Sequence, residues 1–168
     1  MTGKYLLPAL FFMILVSPKS YGQAADDEMA ITNVIDELFN AMELGDSAKA
    51  PTTFAIQVTT ATVSRDKNNN VVLRRDNTVD SFLKAIAAPR KENWYEETWN
   101  TKVQIDGDFA QVWCDYGFYI GNTFSHCGVD AFHLVREKDG WKIFHLADTR
   151  RRTDCNVPQH IQDKNKNK

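Results

Sequence analysis

The chain has 168 residues, 43% hydrophobic and 25% charged, with eight glycines, five prolines and a formal net charge of −2. This composition excludes a collagen, a chain disordered over most of its length and a multi-span membrane protein, and the length suits a single domain. Three cysteines without a C-x-x-C spacing also exclude a disulfide-stapled miniprotein and a structural zinc site.

The first predicted element is an export signal. Lys4 precedes residues 5–16, which are apolar except for Pro8, and a polar stretch follows in which Ser20 and Gly22 suit the small-residue positions of a cleavage site. The apolar run is shorter than the roughly 20 residues of a membrane-spanning helix. Cleavage after Gly22 leaves 146 residues with 18 basic and 22 acidic side chains, net −4. Residues 23–149 then hold 12 basic and 20 acidic side chains, whereas 150–168 hold six and two. An acidic body disfavours a nucleic-acid groove, and after cleavage no segment remains to hold the chain in a membrane. The expected organisation is signal 1–22, one domain 23–152, and a polar, basic, solvated tail 153–168.

Within the domain, Asp26, Asp27 and Glu28 precede Ile31, Val34, Ile35, Leu38, Phe39 and Met42, whose spacing predicts an amphipathic helix ending at Gly45. A short turn over 46–50 stops at Pro51. Residues 54–64 and 71–74 predict a hairpin around Asn68-Asn69-Asn70. Thr78 is placed to cap a second helix with Val79, Phe82, Leu83 and Ile86 on one face and Pro89 beyond its end. Four long strands then form a meander over 93–105, 109–120, 126–136 and 141–150, with turns at Asp106-Gly107, Gly121-Asn122 and Lys138-Asp139-Gly140. Alternation puts Trp99, Thr101, Val103 and Ile105 on one face with Ala110, Val112, Cys114, Tyr116 and Phe118. An apolar sheet face needs a cover, and the two helices are available to supply it. The predicted fold class is α+β, with helices across the concave face of a long, curved, mainly antiparallel sheet.

This order resembles the nuclear-transport-factor-like (NTF2-like) superfamily of cystatin-like cones, over about residues 26–152. Residues 103–112 are similar to the strand-turn-strand centre of such domains, and Asp139-Gly140-Trp141-Lys142-Ile143 to their last hairpin. Residues 125–132 and 148–152 look like a subgroup of exported bacterial members, described as SnoaL-like or lumazine-binding-like. The resemblance implies a cone-shaped pocket more than an activity. Its enzymes include ketosteroid-isomerase-like and polyketide-cyclase-like proteins. The isomerases draw a tyrosine from the first helix, and residues 26–45 here contain none, although Tyr116 on the sheet could supply a hydroxyl.

The candidate chemistry lies in the last two strands, with His126, His133, His145, Asp130 and Asp148. A three-residue turn at 138–140 sets His133 opposite His145 and Asp130 opposite Asp148; a two-residue turn at Asp139-Gly140 breaks both pairings. The first is favoured because glycine fits a bulge, and it puts both aspartates on the face of Phe132, Leu134, Phe144 and Leu146. Asp130 or Asp148 is then a general base in the cone, with Arg150, Tyr116, Trp99 and Phe132 to bind a ligand. The competing reading is a structural Asp–Arg pair at the rim. The carboxylates and His133/His145 fall on opposite faces, so no metal site is expected, and no cofactor motif is present. Trp113, Tyr119 and Trp141 suggest a sheet face that serves a homodimer or another protein partner. In an oxidising compartment Cys127, beside residue 151 or 152, is within reach of Cys155 and is expected to bridge to it, leaving Cys114 as a buried thiol. The ligand expected in the cone is a small, partly apolar molecule, with acid/base catalysis as the alternative.

Overall fold

The apolar stripe of the first helix decides what the sheet must do. The computed structural model describes residues 21–166, so residues 1–20 of the expected signal lie outside the described residues. Helix α1 (Tyr21–Leu44) buries Ile31, Ile35, Leu38, Ala41 and Met42 along one side. It stops where Gly45 takes φ +68°, with Gly45 N–H on the Met42 carbonyl and Asp46 N–H on the Ala41 carbonyl, a Schellman ending that glycine, lacking a β-carbon, enters without strain. The Arg90 guanidinium donates to the carbonyls of Met42, Glu43 and Ile86, so one side chain closes the ends of two helices.

A 3-10 turn (Ala50–Thr53) leads into β1 (Phe54–Arg65), which turns back as β2 (Val71–Asp76). Helix α2 (Asp80–Ala87) follows, and the Thr78 hydroxyl accepts from the Asp80 N–H at 3.3 Å, near its predicted capping place. Strands β3 (Trp94–Asp106), β4 (Phe109–Ile120), β5 (Thr123–Glu137) and β6 (Gly140–Thr149) complete one sheet in the order β2-β1-β6-β5-β4-β3. Every neighbouring pair is antiparallel except β1 with β6. Ala110, Val112, Cys114, Phe132, Leu134, Trp141 and Ile143 face the helices and form the core with the α1 stripe, Val79 and Ile86. The predicted α+β class and curved, mainly antiparallel sheet hold.

Bulges decide which side chains reach the inner face, and here several expectations change. The β3–β4 register slips between Trp99 and Lys102, where Asn100 adopts φ +53°. Beyond the slip Val103 and Ile105 face inward as expected, but before it the inward residues are Trp94, Glu96 and Thr98, paired with Ile120, Phe118 and Tyr116. Trp99 pairs with Asp115 and stands on the outer face. The last hairpin also differs: Glu137 pairs with Gly140 across a two-residue turn, and the extra residue sits at Phe144 instead. His133 does face His145 and Asp130 does face Asp148, but Phe144 turns outward against His133, and Trp141 turns inward beneath Arg136.

The C-terminal segment is not a solvated tail. Helix α3 (Gln159–Lys166) buries Ile161 and Asn165, the Tyr95 hydroxyl donates to Asn165 Oδ1 at 2.5 Å, and Lys164 pairs with Glu97. The Cys127–Cys155 disulfide, with Cα atoms 5.6 Å apart, fastens this strap to β5, and Cys127 also exchanges backbone hydrogen bonds with Arg151. Cys114 remains a buried thiol, and burial pushes its pKa upward, away from reactivity.

Candidate functional site

Between α1, α2 and the concave sheet lies a cavity of about 430 Å³, within the range of small-molecule sites. Leu38, Phe39 and Met42 come from α1 because they continue its buried stripe, and Phe82 and Ala85 come from α2. The sheet contributes Trp94 and Phe118, in edge contact at 6.0 Å, and Leu146. The polar members are Thr60, Thr62, Asp76, Ser81, Glu96, His126, Asp130, Asp148 and Arg150.

Asp130 lies at the floor, 4% exposed, and its Oδ2 has no hydrogen-bond partner among the described residues. Burial raises its pKa well above that of an ordinary carboxylate, and the negative charges of Glu96 and Asp148 add to the rise. Glu96 is raised for the same first reason, burial, with Asp148 again contributing. Asp148, opposite Asp130, is held differently. Its Oδ1 accepts from Thr62 Oγ1 at 2.5 Å and its Oδ2 from Arg150 Nε at 2.6 Å. The Tyr116 hydroxyl donates to the Thr149 carbonyl at 2.9 Å and reaches Asp148 Oδ2 at 3.4 Å. His126 Nδ1 lies 3.0 Å from Ser125 Oγ, and burial lowers its pKa, so the neutral imidazole is favoured.

The structure brings Asp130, Asp148 and Arg150 together at the cavity. Tyr116 and Phe132 are buried behind its wall, Tyr116 in hydrogen-bond contact with Asp148 and Phe132 edge-on to Phe39 at 6.1 Å, and neither lines it. Trp99 is on the opposite face of the sheet. Glu96 was missed, and His126, a candidate from the sequence, was not expected in the cavity. The strand alternation that put Trp99 inside assumed an unbroken β3, and the one available signal was Asn100, a residue type that tolerates the left-handed conformation of a bulge. His126 pairs inward with Phe118 because it lies four residues before Asp130 on the unbroken part of β5, and the β4–β5 register slips only beyond it, between Phe118 and Tyr119.

Chemically, the cavity offers apolar walls, an ion pair and two carboxyl groups whose surroundings favour the protonated form. A protonated carboxyl donates a hydrogen bond, so Asp130 and Glu96 suit a ligand oxygen, and either can return as a base once its proton has left. Among the described residues, no three His, Cys, Asp or Glu side chains converge as metal ligands. No described helix is long and apolar enough to cross a membrane.

No family model matches the sequence, and no curated protein does. Solved structures do. An NTF2-like protein with a cystatin-like fold from Novosphingobium aromaticivorans superposes with TM-score 0.62 at 13% identity, over 83% of this chain and 90% of that one. A protein from Streptomyces avermitilis, named as a candidate dehydratase of the NTF2-like family, gives 0.58 at 18% identity over 77% and 98%. A protein from Shewanella frigidimarina, named as a candidate ketosteroid isomerase, gives 0.52 at 18% identity over 71% and 94%. At such identities the likeness concerns architecture, and it agrees with the helix-covered sheet and its cavity: the chain has the NTF2-like, cystatin-like fold.

Proposed function

We propose that the cone binds a small, partly apolar molecule carrying a carbonyl or similar oxygen, and that Asp130 meets that oxygen. The observation that carries this reading is a buried carboxyl with an unpartnered oxygen at the floor of an apolar cavity, where an unmet hydrogen-bonding group is costly unless a ligand or water meets it. A thermal-shift screen of small carbonyl compounds tests it. Hits should stabilise the protein and lose at least about fivefold in affinity in a Leu146→Arg variant that fills the cavity. Hits that bind Leu146→Arg equally well contradict it.

The same oxygen favours a second reading, SnoaL-like acid/base catalysis by Asp130, with Glu96 sharing the proton and the Arg150–Asp148 pair fixing the ligand's polar end. Names carried by two of the similar structures, dehydratase and isomerase, belong to reaction types that move protons in this way. Single Asp130→Asn and Asp148→Asn variants, assayed on a ligand from the screen, decide it. Unchanged turnover in both removes the catalytic reading and leaves binding.

We also infer that the outer sheet face meets a second copy of the chain. Trp113 is 51% exposed there, Phe109 and Val63 are also exposed, and Lys102 and Asp115 place both charge signs on the same face, as a self-complementary contact requires. Tyr119 and Trp141 do not contribute openly, since one lies beside the C-terminal strap and the other in the core. A dimer in sedimentation velocity that Trp113→Ser abolishes supports this, and a wild-type monomer at tens of micromolar contradicts it. For location we propose export: residues 1–22 have the pattern of a signal, and a disulfide persists in oxidising compartments. Secretion of a tagged full-length chain, lost when residues 1–22 are removed, is the result expected.

A further inference from the structure

A second cavity, of about 600 Å³, lies outside the cone between the β4–β5 hairpin, the strap that follows β6, and α3. Tyr119 and Phe124 form its aromatic side. The Tyr119 ring is stacked on Tyr95, with centroids 5.1 Å apart and planes 6° from parallel, and Phe124 meets it edge-on at 5.5 Å. Tyr119 is buried and backs Phe124, so the exposed Phe124 ring is held from behind, which lowers the entropy lost when another ring packs against it. Phe124 is among the exposed large hydrophobic side chains, so part of this apolar surface faces the opening.

The polar side is built from amides. Gln162 donates through Nε2 to the Val157 carbonyl at 2.7 Å, which leaves its Oε1 to accept. Asn165 is committed to Tyr95 and the Ile161 carbonyl and anchors α3. The side-chain amides of Asn122 and Asn156 have no hydrogen-bond partner among the described residues, and both line the cavity. Arg152 and Asp154 add one charge of each sign. Cys155, which closes the wall through its disulfide, is flanked by Asp154 at φ +55° and Asn156 at φ +48°. Asp and Asn enter the left-handed region more readily than other non-glycine residues, so the chain turns sharply on each side of Cys155.

We propose that this cavity is a second binding site, distinct from the cone, for a neutral planar heteroaromatic ring system whose edge carries an adjacent donor and acceptor. The rings supply stacking, free carboxamides pair with a lactam-type edge, and opposite charges on the wall leave no preference for an ionic ligand. The disulfide makes the site, because without it nothing covalent holds residues 152–157 against the hairpin.

Titration of the folded, oxidised protein with quinazolin-4-one, followed by backbone amide NMR, tests the proposal. Signals of Asn122, Phe124 and Val157 should shift and saturate together, while those of Glu96, Asp130 and Leu146 should not. Phe124→Ala should weaken binding about fivefold, and the paired Cys127→Ser and Cys155→Ser variant about tenfold or more. Benzoate, an aromatic anion without a lactam edge, should bind at least about tenfold more weakly. Shifts confined to the cone residues, no saturable shifts, equal affinity in both variants, or benzoate binding as tightly as quinazolin-4-one would each overturn it.

Discussion

The two faces of the sheet use polar groups in opposite ways. On the inner face Asp130, Asp148 and Glu96 are crowded around one arginine, and one carboxyl oxygen has no partner among the described residues. On the outer face most polar groups are neutral or paired across strands, such as Gln111 with Gln104 at 2.7 Å and Asn100 with Asp115 at 2.8 Å, and the unmet surface is apolar. A fold that only needed stability would bury apolar groups inside and leave charges outside. The inner face departs from that economy at one spot, the floor of the cavity.

The sharpest way to break the inner face is Gly128→Ala. A β-carbon there would stand 1.7 Å from the Thr149 carbonyl oxygen and 2.6 Å from the Tyr116 ring, so the β5–β6 ladder beside the cone has to part. Loss of more than about 4 kcal/mol, or failure to fold, is expected in thermal denaturation. Next in size is removal of the disulfide, which closes a loop across a sequence separation of 28 residues. Replacing both cysteines with serine should cost about 2–4 kcal/mol. It should speed amide exchange in residues 152–166 and leave the cone unchanged.

Asp130→Asn sharpens the contrast in pH terms. The folded-state pKa values of Asp130 and Glu96 lie above their unfolded values, so above an ordinary carboxyl pKa of about 4 the folded chain binds more protons than the unfolded one. Stability therefore falls as pH rises from there through the raised pKa values. Asp130→Asn should flatten that fall and make the protein more stable than wild type by about 1 kcal/mol at pH 8, with little difference at pH 4, as read from urea denaturation. The smallest effect on the single chain is expected on the outer face, where Trp113→Ser should change its stability by less than about 0.5 kcal/mol while removing dimer formation.

Much of this architecture was legible in the sequence because it depends on periodicity. The α1 stripe, the Gly45 ending and the hairpins follow from side-chain spacing and turn residues, whereas the opposition of Asp130 to Asp148 holds through a bulge at Phe144 and not through the expected turn. The Cys127–Cys155 bridge followed from register. What escaped depends on single insertions in strands. The slip at Asn100 exchanged Trp99 for Glu96 in the cavity, and the extra residue at Phe144 preserved the His133–His145 pairing that a different turn had been expected to supply. A bulge has no periodic signature, and one misplaced residue reverses every face beyond it. The C-terminal strap escaped for another reason. Its composition is that of a solvated end, yet Ile161, Asn165, the Lys164–Glu97 ion pair and the disulfide commit it to the sheet.

The proposed function requires the cone to hold Asp130 as a protonated carboxyl ready to donate to a ligand. Carbon-13 NMR titration of the aspartate and glutamate side-chain carboxyls, with Asp130→Asn used to assign the signal, measures this directly. The Asp130 carboxyl is expected to titrate well above the ordinary value of 3.8 and to shift when a cone ligand binds. An Asp130 carboxyl that titrates at or below that value would contradict it.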